Sequence, residues 1–230
     1  MSRTFEFDGE KYKKASRHQK EWGSSLIGEL SLRGDEKILD LGCGDGVLTE
    51  QLSELVPDGK VVGIDASAGM IAEAQSRSKP NLTFVQMDIN DMDFQNEFDV
   101  IFSNAALHWV KDHGRLLKNS FRALKDGGRL LWDFAGDGNC SNFFDVIRKE
   151  MESEEYGQYF KEFEWPWYMP SREDYAKIVA ASGFSSCNIS EVNRDRFFSD
   201  AVVRAMLDRT MQADGTCFET FRRIQVRADK

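Results

Sequence analysis

Cysteine is sparse in this 230-residue sequence, and its four copies are scattered at Cys43, Cys140, Cys187 and Cys217. No two form a C-x-x-C pair and no histidine stands at ligand spacing beside them, which argues against a zinc site and against a disulfide framework. No metal is expected. Long apolar runs are missing too: nothing approaches the roughly 20 residues that cross a bilayer. The stretch from Met1 to Lys20 alternates charges with single aromatics and lacks the apolar centre of a secretory signal. The expectation is a cytoplasmic chain that neither spans nor binds a membrane. An excess of positive charge is also absent. The net charge of −9 gives no global field for neutralising phosphates, so nucleic acid is not an expected partner. Histidine occurs only at positions 18, 108 and 113, and no acid-base dyad or nucleophile triad can be read from them.

From Glu36 onward, short β-rich apolar runs alternate with segments of helical period, the rhythm of a parallel sheet covered on both faces. Five strands are expected at Lys37–Leu41, Val61–Asp65, Leu82–Met87, Phe98–Ser103 and Arg129–Phe134. Helices fall between them. One runs from Gly46 to Leu55, and a second has Ser67 as its N-cap, Met70, Ile71 and Ala74 as its buried face and Pro80 as its close. Another lies near Leu116–Leu124, with Gly127-Gly128 as its stop. Glu150–Met169 is rich in acids and aromatics and reads as a cap. A helix at Ser171–Ser182 with Gly183 at its C-terminus follows, then strands at Phe184–Glu191 and Thr220–Val226. The fold class is α/β, a doubly wound and mostly parallel seven-stranded sheet. It divides into a helical N-terminal cover (1–34), a core (35–135), a cap (136–170) and a C-terminal part (171–230) within one domain.

The strongest local signal is Ile38-Leu39-Asp40-Leu41-Gly42-Cys43-Gly44-Asp45-Gly46, a strand running into a glycine turn and a helix. Glycines there let backbone approach a ligand and take positive φ. A dinucleotide fingerprint needs glycine or alanine at its sixth place, where this sequence has Val47, so a nucleoside fits better than a pyrophosphate. Asp65 ends the second strand, where a carboxylate accepts hydrogen bonds from ribose hydroxyls; capping the next helix is its alternative role. Asp88 follows the third strand beside Ile89, an arrangement suited to an adenine, or else a loop carboxylate. Three such features at consecutive strand ends converge on one crevice.

With Ser103-Asn104-Ala105-Ala106-Leu107-His108-Trp109-Val110 after the fourth strand, the chain resembles the class I S-adenosylmethionine-dependent methyltransferases. Within them it is similar to the branch of trans-aconitate, malonyl-carrier-protein and juvenile hormone acid methyltransferases. That resemblance implies a Rossmann-like methyltransferase fold, S-adenosylmethionine as cofactor and S-adenosylhomocysteine as product. It places Tyr12 and Trp22 in an N-terminal segment over the cofactor. Asp40, Gly42, Cys43 and Gly44 would bind the cofactor, with Gly42 and the turn after it against the methionine moiety. Asp65 would hold the ribose, with Ala66 and Met70 also binding the cofactor, Asp88 and Ile89 the adenine, and the Asn104 backbone the methionine end. It implies a small-molecule acceptor, led by carboxylic acids, with Gln19, His108 and Trp109 as the acceptor-side residues. His108 is either a base or a hydrogen-bonded structural residue. Trp165, Trp167 and Tyr168 either form the acceptor wall or pack the cap. Arg222 and Arg223 read as surface charge, with pairing to an anionic acceptor as the alternative. Relatives have a longer stretch between Asp200 and Ala201, which weakens any expectation about a lid. Amine, hydroxyl or carbon methylation, and a binding module without turnover, stay open beside carboxyl methylation.

Overall fold

The computed structural model describes residues 17–197 and 218–230. Strands β1 (Lys37–Leu41), β2 (Lys60–Asp65), β3 (Leu82–Gln86), β4 (Phe98–Asn104) and β5 (Leu124–Ala135) run parallel, and β6 (Ser186–Phe197) and β7 (Phe218–Asp229) complete one sheet. Its order is β3-β2-β1-β4-β5-β7-β6, with β7 antiparallel to both neighbours. From β1 the chain winds outward through β2 to β3, then returns to lay β4 on the other side of β1. That reversal opens a crevice at the carboxyl ends of β1 and β4.

Alternate residues of each central strand enter opposite cores, as the two-residue period of a strand requires. Ile38 of β1, Val100 and Phe102 of β4 and Leu131 of β5 pack with Leu26 and Leu52, from α1 (Arg17–Ile27) and α2 (Val47–Leu55). Leu39, Leu41, Ile101, Leu130 and Trp132 face the other way. There they meet Leu116 and Leu117 of α4 (His113–Ala123) and Tyr175 and Val179 of α6 (Arg172–Ala180). The remaining helices are α3 (Ala68–Gln75), which starts at Ser67 as its period suggests, and α5 (Ser141–Met151). Among the described residues no helix is long and apolar enough to cross a membrane.

Several boundaries differ from the sequence reading for physical reasons. Gly127-Gly128 do not stop a helix: α4 ends at Ala123, and the glycines lie inside β5. Pairing there jumps from Phe98 with Leu124 to Val100 with Arg129, and Gly127 has φ +76°, so they absorb an irregularity in the strand. Helix α3 stops at Gln75, five residues short of Pro80, with the Ser76 amide bonded to the carbonyl of Ala74. The region expected as an irregular cap carries α5 and a short 3-10 turn at Gly157–Tyr159. Strands β6 and β7 pair without interruption from Ser186 with Asp229 to Phe197 with Phe218, well past the ends expected from their apolar runs. Mutual pairing carries them where burial does not. Tyr12, Cys217 and the Asp200–Ala201 stretch lie outside the described residues.

Candidate functional site

The turn after β1 is held in a left-handed backbone, with φ of +72° at Gly42, +56° at Gly44 and +78° at Gly46. The amides of Gly42 and Cys43 both donate to the carbonyl of Ile64, at 2.8 and 3.0 Å, which sets the turn against the end of β2. There Asp65 accepts the Gly44 amide on Oδ2 at 3.0 Å and the Ser67 amide on Oδ1 at 2.9 Å. The capping role belongs instead to Ser67, whose Oγ accepts the Met70 amide. Asp65 thus clasps two loops at the crevice rather than capping α3.

Asp88 caps the short 3-10 turn Ile89–Asp91, with both the amide and the side-chain nitrogen of Asn90 bonded to its Oδ1. Ile89 is buried beside it. After β4, Ala105 takes φ +58° and the chain turns into a 3-10 segment at Leu107–Trp109. Ser103 Oγ donates to the Leu41 carbonyl at 2.7 Å, tying this segment to the glycine turn. Asn104 Nδ2 donates to the carbonyl of Gln19, which joins β4 to α1, and Lys20 reaches Asp45 at 2.6 Å from the same helix.

These elements enclose a cavity of about 470 Å³. Gly42, Gly44, Asp65, Ala66, Met70, Asp88, Ile89 and Asn104 line it together with Gln19, Trp22, His108 and Trp109. Two expected contacts lie beneath the turn instead. Asp40 is buried and accepts the Thr49 hydroxyl at 2.7 Å, while Cys43 packs against Gly63; both reach only an adjoining void of about 30 Å³. Asp40 alternates along β1 with Leu39 and Leu41, so its side chain points to the opposite face of the strand, toward Thr49 of α2. Burial pushes the Asp40 carboxyl up to about 7, against the Thr49 hydrogen bond and with help from the Asp65 charge.

The aromatic trio divides. Trp167 lines the cavity and meets the Trp109 ring edge-on at 5.5 Å, whereas Trp165 is not among the lining residues and meets Phe144 and Phe163 edge-on. Tyr168 packs on His113 and has no place in the lining. His108 is held by burial, and then by the Arg223 and His113 charges, with its pKa down to about 3, so its ring is neutral. Its Nδ1 is buried without a hydrogen bond among the described residues, as are Gln19 Oε1, Asn104 Oδ1 and Asn139 Oδ1. Four orphaned polar atoms around one cavity are an unusual concentration, because buried polar groups are normally paired.

Arg223 is not surface charge. It is 3% exposed, pairs with Asp133 of β5 and lines the cavity. Phe143 and Phe144 of α5 and Phe221 of β7 also belong to the wall and escaped the sequence reading. A signal for Arg223 did exist: Asp133 interrupts the apolar run Leu130–Phe134, and a charge within such a run requires a partner.

Residues 38–128 match the family model of a methyltransferase domain. An uncharacterized methyltransferase of Schizosaccharomyces pombe is 30% identical over 196 residues, 81% of this chain and 73% of that protein. The chain belongs to the S-adenosylmethionine-dependent methyltransferases. It is also 45% identical over 94 residues to trans-aconitate 2-methyltransferase of Deinococcus radiodurans, covering 41% of this chain and 36% of that one. The aligned part spans about a third to a half of the first relatives matched, 36% and 48% of their lengths. The crystal structure of YcgJ from Bacillus subtilis shares the fold, with a TM-score of 0.68 at 16% identity over 93% of this methyltransferase chain and 98% of YcgJ.

Proposed function

We propose that this methyltransferase binds S-adenosylmethionine over the carboxyl ends of β1 to β4 and methylates an oxygen of a small carboxylic acid. The observation that carries the reading is the cavity, whose lining joins Asp65, Asp88 and the glycine turn to a set of aromatic rings and a neutral histidine.

The residues fit the cofactor. Asp65 accepts the Gly44 and Ser67 amides at the crevice, and a carboxylate, with about four acceptor sites, is a group suited to ribose hydroxyls. Asn104 Oδ1 and Gln19 Oε1 are buried acceptors that lack a donor among the described residues, and an α-ammonium would supply one. Asp88 and Ile89 offer an acceptor beside an apolar surface for an adenine. When bound near these residues, the cofactor would supply an electrophilic methyl group on its sulfonium for transfer to the acceptor oxygen.

His108 favours a carboxylate among the acceptors. An imidazole with a pKa of about 3 is a poor base near neutrality, so it would do little to deprotonate an alcohol or an ammonium. A carboxylic acid is already ionised there. The chain's task is then to align the acceptor and keep water out, which the rings of Trp22, Trp109 and Trp167 suit. The name of the Deinococcus radiodurans relative, a methyltransferase of an acid, points the same way.

Calorimetric titration with S-adenosylmethionine and, separately, NAD tests the cofactor half. Micromolar binding of the first alone is the expected result. Binding of NAD, or of neither, defeats the reading. Incubation of the loaded protein with carboxylic acids, alcohols and amines, read as labelled methyl transfer, tests the acceptor class.

A further inference from the structure

The guanidinium of Arg223 is placed and oriented before any ligand arrives. Its Nε donates to Asp133 Oδ1 at 2.5 Å and its Nη2 to the Asp133 carbonyl at 3.0 Å. Gln225 Nε2 donates to the second carboxylate oxygen, Oδ2, at 2.9 Å. Asp133 is thereby satisfied from three sides, and it does not line the cavity, whereas Arg223 does. Nη1 makes no hydrogen bond to any described residue. The Trp22 ring lies 5.9 Å from the guanidinium carbon, and Asn139, with its orphaned Oδ1, lines the same cavity.

Charge around the cavity is asymmetric. Arg223 is the one cationic side chain among its described lining residues, against two carboxylates, Asp65 and Asp88. The same lining carries the rings of Phe143, Phe144, Trp109, Trp167 and Phe221. A polyanion entering here would meet one donor fork, rings that cannot solvate its other charges, and two carboxylates of like sign. A single carboxylate on a bulky apolar body would satisfy Nη1 and cover the rings.

We infer that Arg223 anchors the acceptor's carboxylate, and that the acceptor is a monoacid with a bulky apolar body rather than a polycarboxylate. The inference rests on the methyltransferase reading above and narrows its acceptor. One carboxylate oxygen receives the Nη1 hydrogen bonds while the other is left to react. The neutral ester product forfeits the charge-assisted bond, so acid binds more tightly than ester. Arg223 is held by Asp133 and Gln225, which act as positioning residues.

The test uses the full chain loaded with S-adenosylhomocysteine, titrated with 2-naphthylacetate, 2-naphthylacetamide, methyl 2-naphthylacetate and propane-1,2,3-tricarboxylate. The acid should bind at least ~10-fold more tightly than the amide and the ester, the scale of one charge-assisted hydrogen bond. The tricarboxylate should bind at least ~10-fold more weakly than the monoacid. In Arg223→Gln the preference for acid over amide should vanish with S-adenosylhomocysteine affinity kept, and Arg223→Lys should restore part of it. Under turnover, Arg223→Gln should raise KM for the acid with a smaller change in kcat. Should Arg223→Gln fail to fold once Asp133 loses its partner, the acid, amide and ester series on the unaltered protein decides alone. Equal affinity for acid and amide, or no binding of the acid to loaded protein, overturns the anchor, and a tighter tricarboxylate overturns the apolar body. Failure to bind S-adenosylhomocysteine at all instead defeats the methyltransferase reading, which keeps the two failures apart.

Discussion

The Cβ that Gly42 lacks would fall 2.2 Å from the Cβ of Ala106, so the glycine turn after β1 and the segment after β4 touch where only a hydrogen fits. Ser103 and the Leu41 carbonyl fasten the same two segments a few residues earlier. The two motifs most diagnostic in sequence are thus one packed unit.

Gly42→Ala should therefore be costly twice over, through a clash between short, stiff side chains and through its φ of +72°. Overpacking and left-handed strain together suggest a loss of roughly 2–4 kcal/mol of stability. Urea unfolding checks it. A loss below about 0.5 kcal/mol, within the range of ordinary surface changes, would mean that the two segments separate freely.

Asp65→Ala removes the acceptor of the Gly44 and Ser67 amides as well as the proposed ribose contact. Affinity for S-adenosylhomocysteine should fall by at least ~10-fold, the scale of one or two lost hydrogen bonds to a charged group. Asp65→Asn should fall between the two, since one oxygen survives. Calorimetry of both variants beside the parent decides, and an unchanged dissociation constant in Asp65→Ala would remove Asp65 from the cofactor-binding residues.

The positions of β1 to β5 could be read from the sequence because strands covered on both faces are written in continuous apolar residues, as Ile38-Leu39 and Val61-Val62 show. The crevice followed from the residues at their ends. Local pattern says less where structure depends on distant partners. Gly127-Gly128 carry turn chemistry yet lie inside a strand, because the partner β4 tolerates an irregularity there. Phe143 and Phe144 reach the cavity from a helix that local signals did not mark, its N-cap being the left-handed Cys140. Arg223 became a site residue only through Asp133, 90 positions earlier in the chain.

The pH dependence of catalysis separates acceptor classes. A carboxylate acceptor is ionised well below neutrality, and His108, with a pKa of about 3, stays neutral across the working range. The rate, as kcat/KM for the acid, should be flat between pH 6 and 8, roughly two units clear of either group. A limb rising tenfold per pH unit in that window would reveal a base at work and would favour a hydroxyl or amine acceptor.

Trp109 meets Trp167 edge-on at 5.5 Å, and both rings line the cavity. Trp109→Ala should leave S-adenosylhomocysteine affinity within about 2-fold of the parent while reducing kcat/KM for the acid by at least ~10-fold, since a large ring facing the acceptor is lost. Equal losses in both readouts would assign Trp109 to packing alone.

Asp40, beneath the glycine turn, should make stability depend on pH. Burial raises its folded-state pKa to about 7, the Thr49 hydroxyl opposes that rise, and the Asp65 charge adds to it. The unfolded chain titrates this group near 4, so between about pH 4 and 7 the folded state holds the proton more tightly. The group's stabilising contribution is therefore full below pH 4 and is lost as pH climbs through 7, where an ion must form in an apolar site. Asp40→Asn removes that titration and keeps an oxygen to accept the Thr49 hydroxyl. The variant should match the parent near pH 4 and exceed it by more than about 1 kcal/mol at pH 8, the scale of a one-unit shift. Paired urea unfolding at the two pH values provides the comparison. A variant that is less stable at pH 8 than at pH 4, relative to the parent, would show that Asp40 is ionised in the folded protein and that a favourable partner holds its charge.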